Sequence, residues 1–171
     1  SRRAEDGGAD AVIIHPRTAD QGFGGAADWN VVALLGESLK IPVVGSGDIR
    51  NPDDALRMLD TTGCAAVMVG RASLGNPWIF ADILARLHGE SSSPPVLALR
   101  EALIREHLQR EIAYQGEYCG SRDFRKHLLW YTKGLRNGAR FRQLVGTFNE
   151  QESMLAELHS FFLSLREGGE L

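Results

Sequence analysis

Two strand-like apolar runs in this chain end in residues that can hold an anion. The first run ends in Ser46-Gly47-Asp48 and the second in Gly70-Arg71. Because glycine has no Cβ, backbone N–H groups at these positions can approach a phosphate closely. Arginine adds a forked, permanently charged donor. We therefore expect the two strand ends to bind one phosphate, with ordinary turn chemistry as the alternative for either glycine alone.

Asp48, His15 and Arg17 are polar residues at or near this rim with more than one possible role. Asp48 is repelled by a phosphate, so we expect it to accept a hydrogen bond from a sugar or ribityl hydroxyl, or to hold its loop through backbone N–H groups. His15 ends an earlier apolar run, and it either reaches a cofactor or phosphate or is a satisfied structural residue. Arg17 can bind a substrate phosphate, although a surface charge is the favoured alternative.

A basic segment at residues 121–143 is the second candidate for chemistry. It has seven basic residues against Asp123, which gives +6, so the rest of a chain of net charge −3 carries −9. Residues three and four apart share a helix face, and basic side chains mixed with aromatic ones are typical of RNA-binding surfaces. A solvated helix face with Trp130 in a core is the alternative. The candidate contacts are Arg122, Arg125, Lys126, His127 and Tyr131.

Strands and helices alternate up to about residue 90. We expect strands at 11–15, 41–44 and 65–69, the first of them buried on both faces. Helices are expected to begin after Asp28, Asn51 and Asn76, which are capping residues. This alternation is typical of an α/β fold with parallel strands. Because three parallel strands cannot close a barrel, either more strands precede them or the sheet is small and open.

The second half of the chain has a helical pattern. A linker at 91–96, rich in Ser and Pro, separates residues 1–90 from residues 97–171. Beyond it we expect three helices packed as a small bundle. The second helix is expected to include Thr132 and Leu135, and the third to begin at a capping box formed by Thr147 and Glu150.

Composition restricts the class of protein. Hydrophobic residues make up 43% and charged residues 24%, which is normal for a soluble globular chain. No apolar run approaches the length of a membrane span, and Cys64 and Cys119 have no metal-site spacing. We expect a cytoplasmic protein without metal, with a monomer favoured.

Several motifs together resemble the tRNA-dihydrouridine synthase family, closest to its bacterial B-type branch. The resemblance covers nearly the whole chain, in order. Its motifs are 15–18 (HPRT), 27–29 (ADW), 41–49 (IPVVGSGDI), 68–71 (MVGR), 75–80 (GNPWIF), and 125–127 (RKH) followed by 130–131 (WY).

The resemblance implies an FMN enzyme that reduces uridine in tRNA to 5,6-dihydrouridine with NADPH as electron donor. It implies a C-terminal part of a (β/α)₈ TIM barrel, about strands six to eight, followed by a helical tRNA-binding domain. Arg17 and the basic segment at residues 121–143 would lie on the tRNA side. The residues implied to contact FMN are His15, Ser46, Gly47, Asp48, Gly70 and Arg71.

The chain departs from the family pattern in two ways. Position 46 is Ser where the family commonly has Asn. The family's catalytic cysteine and its flavin-contacting Gln and Lys belong to earlier segments, so the chain alone is expected to be catalytically silent and to bind FMN poorly. Two alternatives stay open: another FMN or sugar-phosphate barrel, such as a dihydroorotate-dehydrogenase-like protein, and a non-catalytic RNA-binding remnant.

Overall fold

The chain divides into two compact units in a computed structural model that describes residues 1–22 and 24–169. Unit 1 comprises Ser1–Ser73 and Pro77–Ser92, and unit 2 comprises Leu74–Asn76 with the chain from Ser93 onward. Within the described residues, unit 1 contains the strands and unit 2 is helical.

Unit 1 is built on a parallel sheet with the strand order β1-β2-β3. The strands are β1 (Val12–Ile14), β2 (Val43–Ser46) and β3 (Ala66–Met68). Val12 pairs with Val43, and Val44 pairs with Ala66, so the carboxyl ends of the strands share one edge. The predicted α/β class with parallel strands is confirmed.

The core of unit 1 lies on one face of this sheet. It includes Val32, Met58 and Ile79, with Val12 and Ile14 packed against it. Successive side chains of a strand point to opposite faces, so Ile13 lies on the other face and is 60% exposed. The prediction that this strand is buried on both faces is therefore wrong.

Side-chain caps mark the start of two helices of unit 1, α2 (Trp29–Ser38) and α3 (Pro52–Thr62). The Asp28 side chain accepts a hydrogen bond from the Asn30 N–H, and Asn51 accepts one from the Asp54 N–H. The helix predicted to begin after Asn76 begins instead at Ile79, with Trp78 at its N-cap position. That predicted start is therefore wrong. The helices are α1 (Arg2–Asp6), α2 (Trp29–Ser38), α3 (Pro52–Thr62) and α4 (Ile79–Leu87), with a 3₁₀ turn at Arg71–Ser73.

Unit 2 contains α5 (Leu97–Gln115), α6 (Glu117–Tyr131), α7 (Gly138–Leu144) and α8 (Gln151–Glu167), with a 3₁₀ turn at Val145–Thr147. Two predicted boundaries are wrong. Helix α6 ends before Thr132 and Leu135, and the residue at the cap of α8 is Glu150 rather than Thr147. Thr147 is part of the 3₁₀ turn, where its hydroxyl donates to the Leu144 carbonyl.

Candidate functional site

The ends of all three strands line one cavity in unit 1. Its volume is about 380 Å³. Every residue predicted for the phosphate rim lines it, as do five residues that had not been assigned to it: Gly25, Ile49, Arg50, Met68 and Ala72. The cavity is lined by His15, Arg17, Gly25, Ser46, Gly47, Asp48, Ile49, Arg50, Met68, Gly70, Arg71 and Ala72.

Asp48 organises this cavity. Its two carboxylate oxygens each lie 2.7 Å from Arg17 Nη2, and Oδ2 accepts a further hydrogen bond of 2.7 Å from the Ala27 N–H. These hydrogen bonds, the one from Arg17 foremost, hold the pKa of Asp48 below its ordinary value despite burial. Of the two roles considered for Asp48, the one that holds the loop through a backbone N–H matches these contacts.

The side chain of Arg17 is buried, with only 3% of it exposed. The favoured expectation of a surface charge is therefore wrong. Nη2 also donates to the Gly25 carbonyl at 3.0 Å. The Nε and Nη1 atoms are buried and have no hydrogen-bond partner among the described residues. A buried guanidinium with two unpaired nitrogens can donate N–H groups to an anionic or carbonyl ligand that enters the cavity.

The tip of β2 is clamped by the segment that precedes α2. Gly47 has φ +110°, and a Cβ there would lie 2.8 Å from the Ala27 Cβ. Only glycine combines that backbone conformation with so close a contact. The Trp29 indole N–H donates to the Gly47 carbonyl at 3.1 Å. Ala27 and Trp29 therefore position the strand tip, a role that their place in a loop and a helix start had not indicated.

His15 lies at the end of β1 and reaches across to β2. Its Nδ1 and the Ser46 hydroxyl oxygen are 3.3 Å apart and share a hydrogen bond. Ser46 is buried, with 4% of its surface exposed. This contact fixes the imidazole on the cavity wall, which fits either of the roles considered for His15.

The cavity carries a positive balance of charge. Arg50 and Arg71 lie 3.9 Å and 3.7 Å from the Asp48 carboxylate, and both side chains are more than half exposed. With Arg17, three guanidinium groups surround one carboxylate. An anion is the ligand that this arrangement favours, because one carboxylate cannot neutralise three cations.

The predicted RNA-binding residues do not all share one face of α6. Arg122 and Lys126 are exposed. Arg125 turns inward and donates to the Phe148 carbonyl and to Asn149 Oδ1, both at 2.7 Å. Helical spacing alone could not reveal these contacts, because their acceptors lie more than twenty residues away in the sequence.

His127 and Tyr131 belong to a polar aromatic cluster between α5 and α6. Tyr131 is 4% exposed, and its hydroxyl lies 3.0 Å from His107 Nδ1. The rings of His107 and His127 are 4.6 Å apart. Burial lowers the pKa of both histidines and raises that of Tyr131. The buried Tyr131 hydroxyl faces α5, so Tyr131 does not join Arg122 on an open surface.

Neither cysteine lines the cavity. Cys64 is buried and Cys119 is exposed on α6. Within residues 1–22 and 24–169, three or more His, Cys, Asp or Glu side chains never cluster as metal ligands would. Over the same residues, every helix is too short or too polar to cross a bilayer.

Comparison with known proteins decides the family. The model of the dihydrouridine synthase (Dus) family matches residues 1–166. The chain belongs to the dihydrouridine synthase family. A probable tRNA-dihydrouridine synthase of Mycobacterium tuberculosis is 43% identical over 162 residues, which are 92% of this chain and 42% of that protein.

Other relatives point to the same family. A tRNA-dihydrouridine synthase B of Xanthomonas axonopodis is 39% identical over 169 residues, which are 98% of this chain and 51% of that protein. A Rickettsia conorii relative, a probable tRNA-dihydrouridine synthase, is 36% identical over the same length. The predicted dihydrouridine synthase family is confirmed, and the B-type branch fits. The chain spans about half the length of these curated relatives.

Proposed function

We propose that this chain is part of an FMN-dependent tRNA-dihydrouridine synthase of the B type, which reduces uridine in tRNA with NADPH as electron donor. The main support for this proposal is that three strand ends meet at a positively charged cavity in a chain of the dihydrouridine synthase family. The family membership argues against a dihydroorotate-dehydrogenase-like protein. On this proposal the sheet forms about strands six to eight of a (β/α)₈ barrel in residues 1–90, and residues 97–171 bind tRNA.

The residues of the cavity fit the phosphate end of FMN. Arg17 has two buried N–H-bearing nitrogens without a partner in the described structure, and Gly70 leaves open space where a Cβ would stand. We assign phosphate binding to Gly47, Gly70 and Arg71, with Ser46 and His15 on the adjoining wall. Bound FMN, once reduced by NADPH, would supply a hydride for C6 of the target uridine, and this base must leave its stack to be reached.

Arg17 and Asp48 serve the same site in different ways. Asp48 holds Arg17 and the Ala27 N–H, so it keeps the loop closed over the β2 tip. Arg17 offers its remaining N–H groups to the cavity. We therefore propose that Arg17 binds substrate through Nε and Nη1, and not as an exposed surface charge.

A comparison of two flavins tests the phosphate site. We expect the longer protein that contains this chain to bind FMN more tightly than riboflavin, which lacks the phosphate, and to form dihydrouridine in tRNA. Substituting Arg71→Ala should weaken FMN binding and leave riboflavin binding unchanged. Equal affinity for the two flavins, or no dihydrouridine, would overturn the proposal.

The isolated 171-residue chain should give no turnover. In the family the proton for C5 of uridine comes from a cysteine, and in this chain Cys64 is buried while Cys119 lies on α6, outside the cavity. We therefore expect flavin to bind weakly and dihydrouridine not to form. Turnover by the purified chain would contradict this part of the proposal.

A further inference from the structure

The two most exposed large hydrophobic side chains in the described residues are tyrosines. Tyr114 is 88% exposed and Tyr118 is 70% exposed. They stand on either side of Gly116, where α5 ends and α6 begins. The third tyrosine, Tyr131, is buried. Aromatic rings left in water at a helix junction contribute little to the core of unit 2, so a role in binding is the better explanation.

Arg122 holds the Tyr118 ring in place. Its Nη1 donates to the Tyr118 hydroxyl at 2.8 Å, and its guanidinium carbon lies 5.1 Å from the ring centroid. The two residues are one helical turn apart, which brings their side chains together. The pair therefore presents an aromatic ring backed by a cation, with most of the ring accessible to solvent.

Positive charge extends from this pair along unit 2. Lys126 is exposed one turn beyond Arg122 on α6, and Lys133 and Arg140 are exposed further along the chain. By contrast, Arg125 and Arg142 are partly buried and donate to backbone carbonyls. The accessible part of the +6 charge is thus carried by a small set of side chains that includes Arg122 and Lys126.

We infer that Tyr118 and Arg122, with Tyr114 and Lys126, form a site at which unpaired nucleotides of an RNA stack. This inference rests on the proposed function and names residues for its tRNA contact. Bases stack on aromatic rings regardless of sequence, while neighbouring cations bind the backbone phosphates. An acidic peptide would use the cations but would leave two exposed rings without a role.

Binding of fluorescently labelled RNA to the 171-residue chain tests the inference. We expect Tyr118→Ala to weaken binding of tRNA and of a single-stranded oligonucleotide about five- to 150-fold. Tyr118→Phe keeps the ring and should retain most of the affinity. Leu129→Ala removes another partly exposed apolar side chain of α6 and should change nothing. Far-ultraviolet circular dichroism establishes that each variant is folded.

Alkylation of Cys119 gives an independent readout. Cys119 is exposed and adjoins Tyr118, whereas Cys64 is buried and serves as the internal reference. Bound single-stranded RNA should slow alkylation of Cys119, and a fully paired RNA duplex should do so less.

The outcomes separate this inference from the proposed function. If tRNA binds but Tyr118→Ala has no effect, or if Cys119 stays reactive, the stacking site is wrong and the proposed tRNA binding by the chain stands. If an acidic peptide binds as tightly as RNA, the stacking site is also wrong. If no RNA binds at all, both the site and the assigned role of unit 2 fail.

Discussion

At the scale of single residues, the Arg17–Asp48 ion pair holds the loops of the candidate site in place. The Arg17 side chain is 3% exposed and that of Asp48 is 13% exposed, so the guanidinium depends on this carboxylate for its charge balance. Removal of one partner from a buried ion pair leaves an uncompensated charge, which costs more than the pair itself contributes. The pair therefore holds the loop at Ala27 on the β2 tip.

Asp48→Asn should destabilise the chain by about 2–4 kcal/mol at pH 7, because Arg17 would keep a neutral acceptor but lose its counter-charge. Urea unfolding measures the loss. The matched control is Asp53→Asn, since the Asp53–Arg86 pair is more than half exposed on both sides and should contribute less than about 1 kcal/mol. Equal losses in the two variants would contradict the role given to Asp48.

The Arg17–Asp48 pair should also make the stability of the chain depend on pH. The folded pKa of Asp48 lies below its ordinary value, so its contribution to stability is present above the unfolded pKa of about 3.9 and is lost as pH falls through the folded pKa. The wild-type chain should therefore approach Asp48→Asn in stability below about pH 4. A difference between the two that is constant from pH 7 to pH 3 would contradict this mechanism.

Local chemistry predicted part of the candidate site. Gly47, Gly70 and Arg71 were recognisable because each follows an apolar strand, and parallel strands end at one edge. The burial of Arg17 was not predictable, because its partner lies thirty-one residues away. The same limit applies to Arg125, whose acceptors belong to Phe148 and Asn149, more than twenty residues away in the sequence.

At the scale of elements, the contact between α5 and α6 buries ionisable rings. His107 and His127 lie edge to face. Burial is the main cause of the lowered pKa of both. Glu111 favours the charged form of each ring, while Arg110 opposes it at His107 and Lys126 opposes it at His127. The folded state thus favours neutral imidazoles at this contact.

This contact should make the chain less stable in mild acid. Because the folded pKa values lie below the unfolded value of about 6.5, the unfolded state binds more protons, and stability falls as pH drops from 6.5 through the folded values. His107→Gln, which can still bond the Tyr131 hydroxyl, should reduce the fall in melting temperature between pH 7.5 and pH 5. An unchanged pH dependence in both His107→Gln and His127→Gln would contradict this account.

Gly75 is required by the packing of unit 2. It has φ +70°, and a Cβ there would lie 2.4 Å from the Trp130 carbonyl carbon. Gly75→Ala should destabilise the chain by about 2 kcal/mol or more, since strained backbone and a clash with backbone atoms add together. Gly146→Ala is the control, because that site has open space and no positive φ. Chemical denaturation of both variants measures the difference.

Helix starts were predictable where one side chain makes the cap. Asp28 and Asn51 each bond an N–H within their own first turn, so a few neighbouring residues suffice. Helix α8 has no side-chain cap at Glu150, and Thr147 bonds backward to Leu144 instead. The short helix α7 was missed because its apolar residues, such as Phe141, pack against residues distant in sequence.

At the scale of the whole molecule, charge is divided along the chain. The net charge is −3, yet residues 121–143 carry +6. A polyanion therefore meets attraction from one segment and repulsion from the remainder. Composition alone would have argued against an RNA partner, and only the distribution of charge argues for one.

Binding of tRNA should depend on salt mainly through that segment. Each exposed cation that neutralises a phosphate adds about 0.7 to 0.9 to the slope of log affinity against log salt. If Arg122, Lys126, Lys133 and Arg140 each contact one phosphate, the slope should be about −3. Lys133→Gln with Arg140→Gln should reduce its magnitude by about 1.5, because two contacts are lost. Lys40→Gln removes an exposed cation of unit 1 and should leave the slope unchanged. Equal slopes for all three proteins would mean that tRNA is held elsewhere on the chain.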